Sequence, residues 1–92
     1  MNQSALVAHL DRSLQDHDGA AASPRVVVLA GLNWPTEGWL GRALEWIDEG
    51  VPIDEEIALA LEKVASRKHC SQDLRHKAFT QAARWRRNAQ NT

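Results

Sequence analysis

The chain has 92 residues, of which 43% are hydrophobic and 25% are charged. This length suits one domain with a single modest core, and the composition excludes a disordered, collagen-like or disulfide-bonded chain. The single cysteine, Cys70, has no partner within the chain, which is typical of a reducing compartment. The first residues lack the basic start and apolar core of a signal peptide, and the longest apolar run, 26–32, is too short to cross a membrane. We therefore expect a small cytoplasmic protein without a membrane segment.

Charge is distributed unevenly along the chain, although the formal net charge is only −1. Residues 1–66 hold four Lys or Arg against eleven Asp or Glu, whereas residues 67–92 hold seven Lys or Arg against one Asp. A basic segment of this kind can meet phosphate, an acidic partner, or the acidic remainder of its own fold. The near balance between the two parts favours contact within the chain.

The beginning of the chain has the apolar periodicity of an amphipathic helix. Its apolar residues fall within one arc of a helical wheel, which predicts a first helix over residues 3–17. The next residues, 18–23, have the composition of a linker. The residues that form the arc are Leu6, Val7, Leu10 and Leu14.

The segment that follows the linker can be interpreted in two ways. Three consecutive valines, 26–28, favour a buried strand, whereas Ser23 followed by Pro24 is typical of the start of a helix. A strand needs a partner, and the chain contains no second strand candidate. We therefore favour a helix over residues 25–31 and keep a lone strand, paired with a second copy in a dimer, as the alternative.

A third helix is predicted after a turn at residues 34–38, and it ends before Gly50. Its apolar residues occupy one continuous arc and its polar residues occupy the remainder, so this helix is expected to bury one face. The apolar arc consists of Trp39, Leu40, Ala43, Leu44, Trp46 and Ile47.

Two more helices complete the expected fold. The fourth begins after a cap at Asp54 and runs to about Arg67, and the fifth begins after a cap at Ser71 and runs to residue 87, with a frayed tail at 88–92. The sequence therefore predicts a single all-α domain over residues 1–92, a compact bundle of four or five short helices. The residues expected to face inward are Ile57, Ala60, Leu61, Val64 and Ala65 in the fourth helix, and Leu74, Ala78, Ala82 and Trp85 in the fifth.

One short stretch concentrates the side chains that can bind metals or act as nucleophiles: His69, Cys70, Asp73 and His76. A zinc site needs four convergent ligands, usually in paired Cys or His spacing, and only one thiol is present. A catalytic cysteine and histidine need a third group that orients the base, and nothing in the spacing supplies one. We therefore predict no catalytic residue, no metal and no cofactor.

Tryptophan and arginine near the third helix suggest a surface that binds a protein. Trp39 and Trp46 are seven residues apart, and Arg42 lies between them in a position that allows cation–π stacking. Trp and Arg frequently anchor interfaces, and the alternative is that these rings close the rim of the chain's own core. The predicted partner-binding residues are Trp34, Trp39, Arg42, Trp46 and the outward-facing Leu59.

These features predict a small, non-enzymatic, protein-binding module of the inhibitor, immunity or regulatory adaptor type. We expect it to be bacterial and cytoplasmic, with a homodimer as a further prediction. The alternative function is a nucleic-acid-binding regulator that uses the basic last helix, 71–87, in which Arg75, His76, Arg84 and Arg87 would contact the nucleic acid.

Overall fold

The computed structural model describes residues 3–17, 23–34, 37–68 and 70–90. Five α-helices and no strand occur within these ranges, so the predicted all-α class is confirmed. The chain divides into two compact units, Met1–Pro52 and Ile53–Thr92, which we call the N-terminal and C-terminal units. The single domain over residues 1–92 stays a prediction. The helices are α1 (Gln3–Ala8), α2 (Pro24–Leu32), α3 (Leu40–Glu49), α4 (Glu55–Ala65) and α5 (Gln72–Gln90).

The first helix is much shorter than predicted. The helix α1 ends at Ala8, and two 3₁₀ turns, His9–Asp11 and Leu14–Asp16, follow it. Between these turns the backbone is extended at Arg12 and Ser13, with ψ values of 158° and 159°. The prediction of one continuous helix over residues 3–17 is therefore wrong. Of the predicted linker, 18–23, residues 18–22 lie outside the described residues.

Two hydrogen bonds from α3 explain this interruption. The indole Nε1 of Trp46 donates to the carbonyl oxygen of Arg12 at 2.9 Å, and the Glu49 carboxylate accepts from the backbone N–H of Leu14 at 2.8 Å. Each of these bonds satisfies a backbone group that the interrupted helix leaves without an intrahelical partner. Tertiary contacts therefore override the local helical periodicity in this segment.

The second helix resolves the ambiguity between helix and strand. Residues 24–32 form α2, so the lone strand considered for this segment is wrong. Pro24 occupies the first turn, as expected, whereas Ser23 stands at the N-cap position but makes no side-chain capping hydrogen bond. A Cβ atom on Gly31 would lie 2.7 Å from Leu10 Cδ1 and 3.1 Å from Ala43 Cβ, so glycine permits the close packing of α2 in the N-terminal unit.

The third helix follows its prediction closely. A 3₁₀ turn, Glu37–Trp39, precedes α3, and the helix ends at Gly50. Gly50 adopts a φ of 137°, a conformation that favours glycine, and its N–H donates to the Ile47 carbonyl oxygen. Trp39 is only half-buried, while the other members of the predicted apolar arc are buried: Leu40, Ala43, Leu44, Trp46 and Ile47.

The helices α4 and α5 pack against each other and form the C-terminal unit. The predicted cap of α4 is confirmed, because the Asp54 carboxylate accepts a hydrogen bond from the Ile57 N–H at 2.9 Å. At the start of α5, the Ser71 hydroxyl accepts from the Leu74 N–H at 3.4 Å. The helix α4 ends two residues earlier than predicted, and α5 continues three residues beyond its predicted end, so residues 88–90 are helical. Most of the predicted inward positions are buried, namely Ile57, Ala60, Leu61, Val64, Ala78 and Ala82.

The cap at Asp54 gives a measurable stability difference. The variant Asp54→Ala loses a side-chain acceptor for an otherwise unpaired N–H, so we expect it to lower the free energy of unfolding by about 1 kcal/mol. Ser23→Ala is the matched control, because Ser23 occupies an N-cap position without a capping bond. Urea denaturation followed by far-UV circular dichroism measures both variants. Equal losses of stability in the two variants would contradict the capping role of Asp54.

Candidate functional site

One of the predicted partner-binding residues, Trp46, lies in the interior of the N-terminal unit. Its side chain is 1% exposed, its indole N–H is bonded to the Arg12 carbonyl, and its ring lies 4.9 Å from the ring of His17. A partner cannot contact this ring while the unit stays folded. For Trp46, the structure supports the alternative interpretation, in which the ring belongs to the chain's own core.

The other residues predicted near α3 lie closer to the surface. Trp34 and Trp39 are half-buried, and the exposed Arg42 side chain lies 3.4 Å from the carboxylate of Glu45. Among the described residues, no cation–π contact joins Arg42 to a tryptophan, and its guanidinium lies beside Glu45 instead. The structure therefore brings no paired tryptophan and arginine anchor together on this surface.

Two large apolar side chains stand out on the surface of the C-terminal unit. Leu59 on α4 is 48% exposed, as predicted, and Phe79 on α5 is 60% exposed. Sequence reasoning missed Phe79 as a binding residue, although its spacing of four residues from Arg75 places the two on one face of the helix. An isolated exposed leucine is ordinary, whereas an exposed phenylalanine beside a cavity is a candidate contact residue.

An open cavity of about 300 Å³ lies beside Phe79, and we call it the recess. Its α5 residues recur at intervals of three and four, so they share one face of that helix. The last turn of α4 contributes a small side chain, which leaves room beside the phenylalanine ring. The residues that line the recess are Ala65, Gln72, Arg75, His76 and Phe79.

The charge of one α5 arginine is already compensated within the C-terminal unit. Arg86 Nε donates to Glu62 at 2.6 Å, and its Nη1 donates to Glu55 at 3.1 Å. Hydrogen bonding to Arg86 holds the pKa of the Glu62 carboxyl below its usual 4.5, and the same pairing raises the pKa of Arg86. We call these three residues the Arg86 cluster. The expected contact between basic and acidic parts of the chain is therefore present at this position.

Three other arginines of α5 make no such pair among the described residues. Within the described part of the chain, no ion pair or hydrogen bond to a carboxylate involves the side chains of Arg75, Arg84 or Arg87. Arg84, Arg87 and His76 are exposed, and Arg75 is half-buried at the recess. The predicted nucleic-acid-binding residues thus lie along α5, but only Arg75 and His76 share a cavity.

The Arg86 cluster gives a prediction about acid stability. Because the pKa of Glu62 is lowered in the folded state, its contribution to stability is complete above about pH 4.5 and is lost as the pH falls through the folded pKa. We therefore expect wild-type stability to decrease more steeply on acidification than that of Glu62→Gln. Urea denaturation between neutral and acidic pH measures the difference.

The control for this prediction removes the partner of Glu62. In an Arg86→Gln background, Glu62→Gln should no longer change the dependence of stability on pH. A pH-dependent difference that persists without Arg86 would assign the acid sensitivity to another contact of Glu62.

The stretch that concentrates metal-binding and nucleophilic residues does not form a recognisable centre in the described residues. Cys70 is buried, Asp73 and His76 are exposed, and His69 lies outside the described residues. Among the side chains that the structure describes, no three His, Cys, Asp or Glu residues converge in a way that could hold a metal ion.

Comparison with known proteins gives no family assignment, since no family model, curated protein or solved structure matches this chain. Within the described ranges, none of the helices combines the length and apolar character needed to cross a bilayer. Arguments about function therefore depend on the chain's own surface.

Proposed function

We propose that this chain is a small, non-enzymatic, protein-binding module that contacts its partner through the C-terminal unit. The observation that carries the proposal is the exposure of Phe79. This residue is 60% exposed and lies beside the recess. Aromatic side chains are enriched in the cores of protein interfaces because they bury a large apolar area with few rotatable bonds. Inhibitor, immunity and regulatory adaptor proteins are the classes that we favour.

The second exposed apolar residue of the C-terminal unit, Leu59, adds to the apolar area that a partner can cover. Leu59 lies four residues after Glu55 and three before Glu62, so it shares a helix face with both carboxylates of the Arg86 cluster. A partner that covers Leu59 would meet a leucine beside two carboxylates that are hydrogen-bonded to Arg86. Such a surface is suited to a protein and unsuited to a phosphate backbone.

The residues first predicted around α3 have a smaller part in this proposal. Trp34, Trp39 and Arg42 remain candidates for a second contact, because each retains some exposure. Trp46 is left out, since its ring is enclosed. The proposal thus moves the main contact from α3 to α4 and α5, and it keeps a homodimer among the partners to be tested.

Affinity capture with matched variants tests the proposal. Tagged wild-type chain and the double variant Leu59→Ala/Phe79→Ala are used as baits in extract from the source organism, with quantitative mass spectrometry as the readout. We expect at least one protein to be lost from the double variant and retained by Val26→Ala, a variant that removes apolar area from an exposed position of α2 in the N-terminal unit. Identical sets of captured proteins for all three baits would contradict the proposal.

A nucleic-acid-binding regulator is the second candidate, favoured by the exposed cations of α5 without acidic partners. Arg84 and Arg87 lie three residues apart, and His76 lies on the same side of the helix as Arg87. These side chains can contact phosphates without rearrangement of the Arg86 cluster. Against this candidate, α4 presents acidic residues close to α5, and these repel phosphate.

Fluorescence anisotropy with duplex DNA and single-stranded RNA, titrated across salt concentrations, tests the second candidate. A nucleic-acid-binding regulator should bind with an affinity that falls linearly in a plot of log affinity against log salt. Combined replacement of Arg75, Arg84 and Arg87 by glutamine should then abolish binding and flatten the salt dependence. The absence of binding at low salt would remove this candidate.

A further inference from the structure

We infer that the recess binds an acidic segment of a partner protein, with an apolar partner side chain against Phe79 and a carboxylate beside Arg75 and His76. This inference rests on the proposed protein-binding function and specifies the chemistry of the partner. Three properties of the described residues carry it: the exposed ring, the adjacent Arg75 and His76 side chains without an acidic partner, and the small volume of the recess.

The apolar contact follows from the position of Phe79. Phe79 lines the recess together with Ala65 of α4, whose side chain is small. A volume of about 300 Å³ is at the lower end of the range for ligand sites, which suits one large side chain better than a whole cofactor. Covering the ring would remove apolar surface from water, and this is the main source of affinity in small interfaces.

The charge preference follows from the Arg75 guanidinium and the His76 imidazole next to the ring. Arg75 lies four residues before Phe79 and His76 lies three before it, so both side chains border the same cavity. Neither makes an ion pair with a described residue, and the carboxylate nearest in sequence, Asp73, is not among the lining residues. An incoming carboxylate can therefore form a charge-assisted hydrogen bond with Arg75 without displacing an internal partner.

The Arg86 cluster favours a compact acidic segment over a nucleic-acid strand. Arg86 lies seven residues after Phe79 on the same face of α5, where a bound strand would need a further cation. Glu55 and Glu62 both bond to Arg86, so the cluster as a whole carries a net negative charge. The positive surface therefore ends close to the recess instead of continuing along this face of the helix.

Nuclear magnetic resonance titration tests the inference with a defined probe. The ¹⁵N-labelled chain is titrated with a peptide of leucine and glutamate in helical register, and with the same peptide carrying lysine in place of glutamate. We expect saturable shifts of the amide signals of Gln72, Arg75, His76 and Phe79 with the acidic peptide only. Single-stranded oligothymidylate is titrated as the nucleic-acid probe.

Matched variants separate the two contacts. Arg75→Gln and Phe79→Ala should each weaken binding of the acidic peptide about tenfold, which corresponds to ~1.4 kcal/mol. Arg12→Gln removes the same charge from an exposed site in the N-terminal unit, and Val26→Ala removes apolar area from an exposed site on α2, so both should bind like wild type. One-dimensional and ¹⁵N spectra show whether each variant is folded.

Each outcome decides between distinct conclusions. Equal binding of the acidic and basic peptides would overturn the inference. So would oligothymidylate that shifts the amide signals of the recess residues and binds more tightly than the acidic peptide. Failure of the acidic peptide to bind, combined with protein capture that still depends on Phe79, would overturn the acidic partner and leave the protein-binding function in place. Failure in both experiments would overturn both proposals.

Discussion

Replacing Trp46 with alanine is expected to destabilise the chain by about 3–5 kcal/mol, the usual cost of removing a fully buried aromatic side chain. Trp46 fills the interior of the N-terminal unit, contacts the ring of His17 and donates its indole hydrogen to the Arg12 carbonyl. The substitution would leave a cavity and an unpaired carbonyl in the same place. Urea denaturation followed by far-UV circular dichroism measures the change in the free energy of unfolding.

Two further variants divide this effect into its parts. Trp46→Phe keeps much of the apolar area but removes the hydrogen bond to Arg12, so we expect a loss intermediate between wild type and Trp46→Ala. Trp39→Ala changes a half-buried tryptophan and should cost less than Trp46→Ala. A Trp46→Ala variant as stable as wild type would contradict the interior position of this ring and would restore it as a candidate for partner contact.

Replacing Leu61 with alanine should lower the free energy of unfolding of the C-terminal unit by about 2–5 kcal/mol. Leu61 is fully buried on α4, and its truncation removes apolar contacts that a short helical pair cannot easily replace. Leu59→Ala is the matched control, because it makes the same chemical change two residues away at a position that is 48% exposed. We expect Leu59→Ala to change stability by less than about 0.5 kcal/mol.

The comparison of Leu59 with Leu61 also separates stability from binding. Leu59→Ala should leave the fold intact while it weakens capture of a partner, whereas Leu61→Ala should act through unfolding. Circular dichroism and affinity capture of the same samples measure the two effects. Similar losses of stability in both variants would place Leu59 in the core and would remove it from the proposed contact surface.

Much of the helical architecture follows from local signals in the sequence. The apolar arc predicts the buried face of α3, Gly50 predicts its end, and Asp54 predicts the start of α4, because each depends on residues close in the chain. The helix α2 was favoured over a strand for a similar reason, since Pro24 is compatible with the first turn of a helix and no strand partner exists.

The interruption of the first helix could not be read from the sequence. It depends on two hydrogen bonds, one between Trp46 and Arg12 and one between Glu49 and Leu14, which join residues separated by 34 and 35 positions. The apolar periodicity of residues 3–17 contains no sign of these contacts. Long-range hydrogen bonds of this kind become visible only when the packing of the helices is known.

The candidate site shows a different limit of sequence reasoning. A helical wheel shows that Trp46 and Phe79 each lie on or beside an apolar arc, but it does not show whether another helix covers the ring. In the structure Trp46 is enclosed, whereas Phe79 adjoins the short side chain of Ala65 and stays exposed. The packing of neighbouring elements, which the wheel does not contain, therefore determines which aromatic residue is available to a partner.

Charge also behaves differently at neighbouring positions of α5. The sequence shows Arg84, Arg86 and Arg87 as one basic group, but only Arg86 reaches carboxylates on α4. Its distance of seven residues from Phe79 places it on the flank that faces α4, and the other two arginines point elsewhere. Net charge per segment therefore overestimates the positive surface that is free to bind a partner.

Photocrosslinking at position 79 in cells of the source organism would establish what contacts the proposed surface. A photoreactive phenylalanine analogue replaces Phe79 in one variant and the exposed Val26 of α2 in a control. We predict a nuclease-resistant protein adduct at position 79 that is absent from position 26. An adduct to a second copy of the chain would identify a homodimer. A nuclease-sensitive adduct, or equal labelling at both positions, would contradict a protein-binding role for this surface.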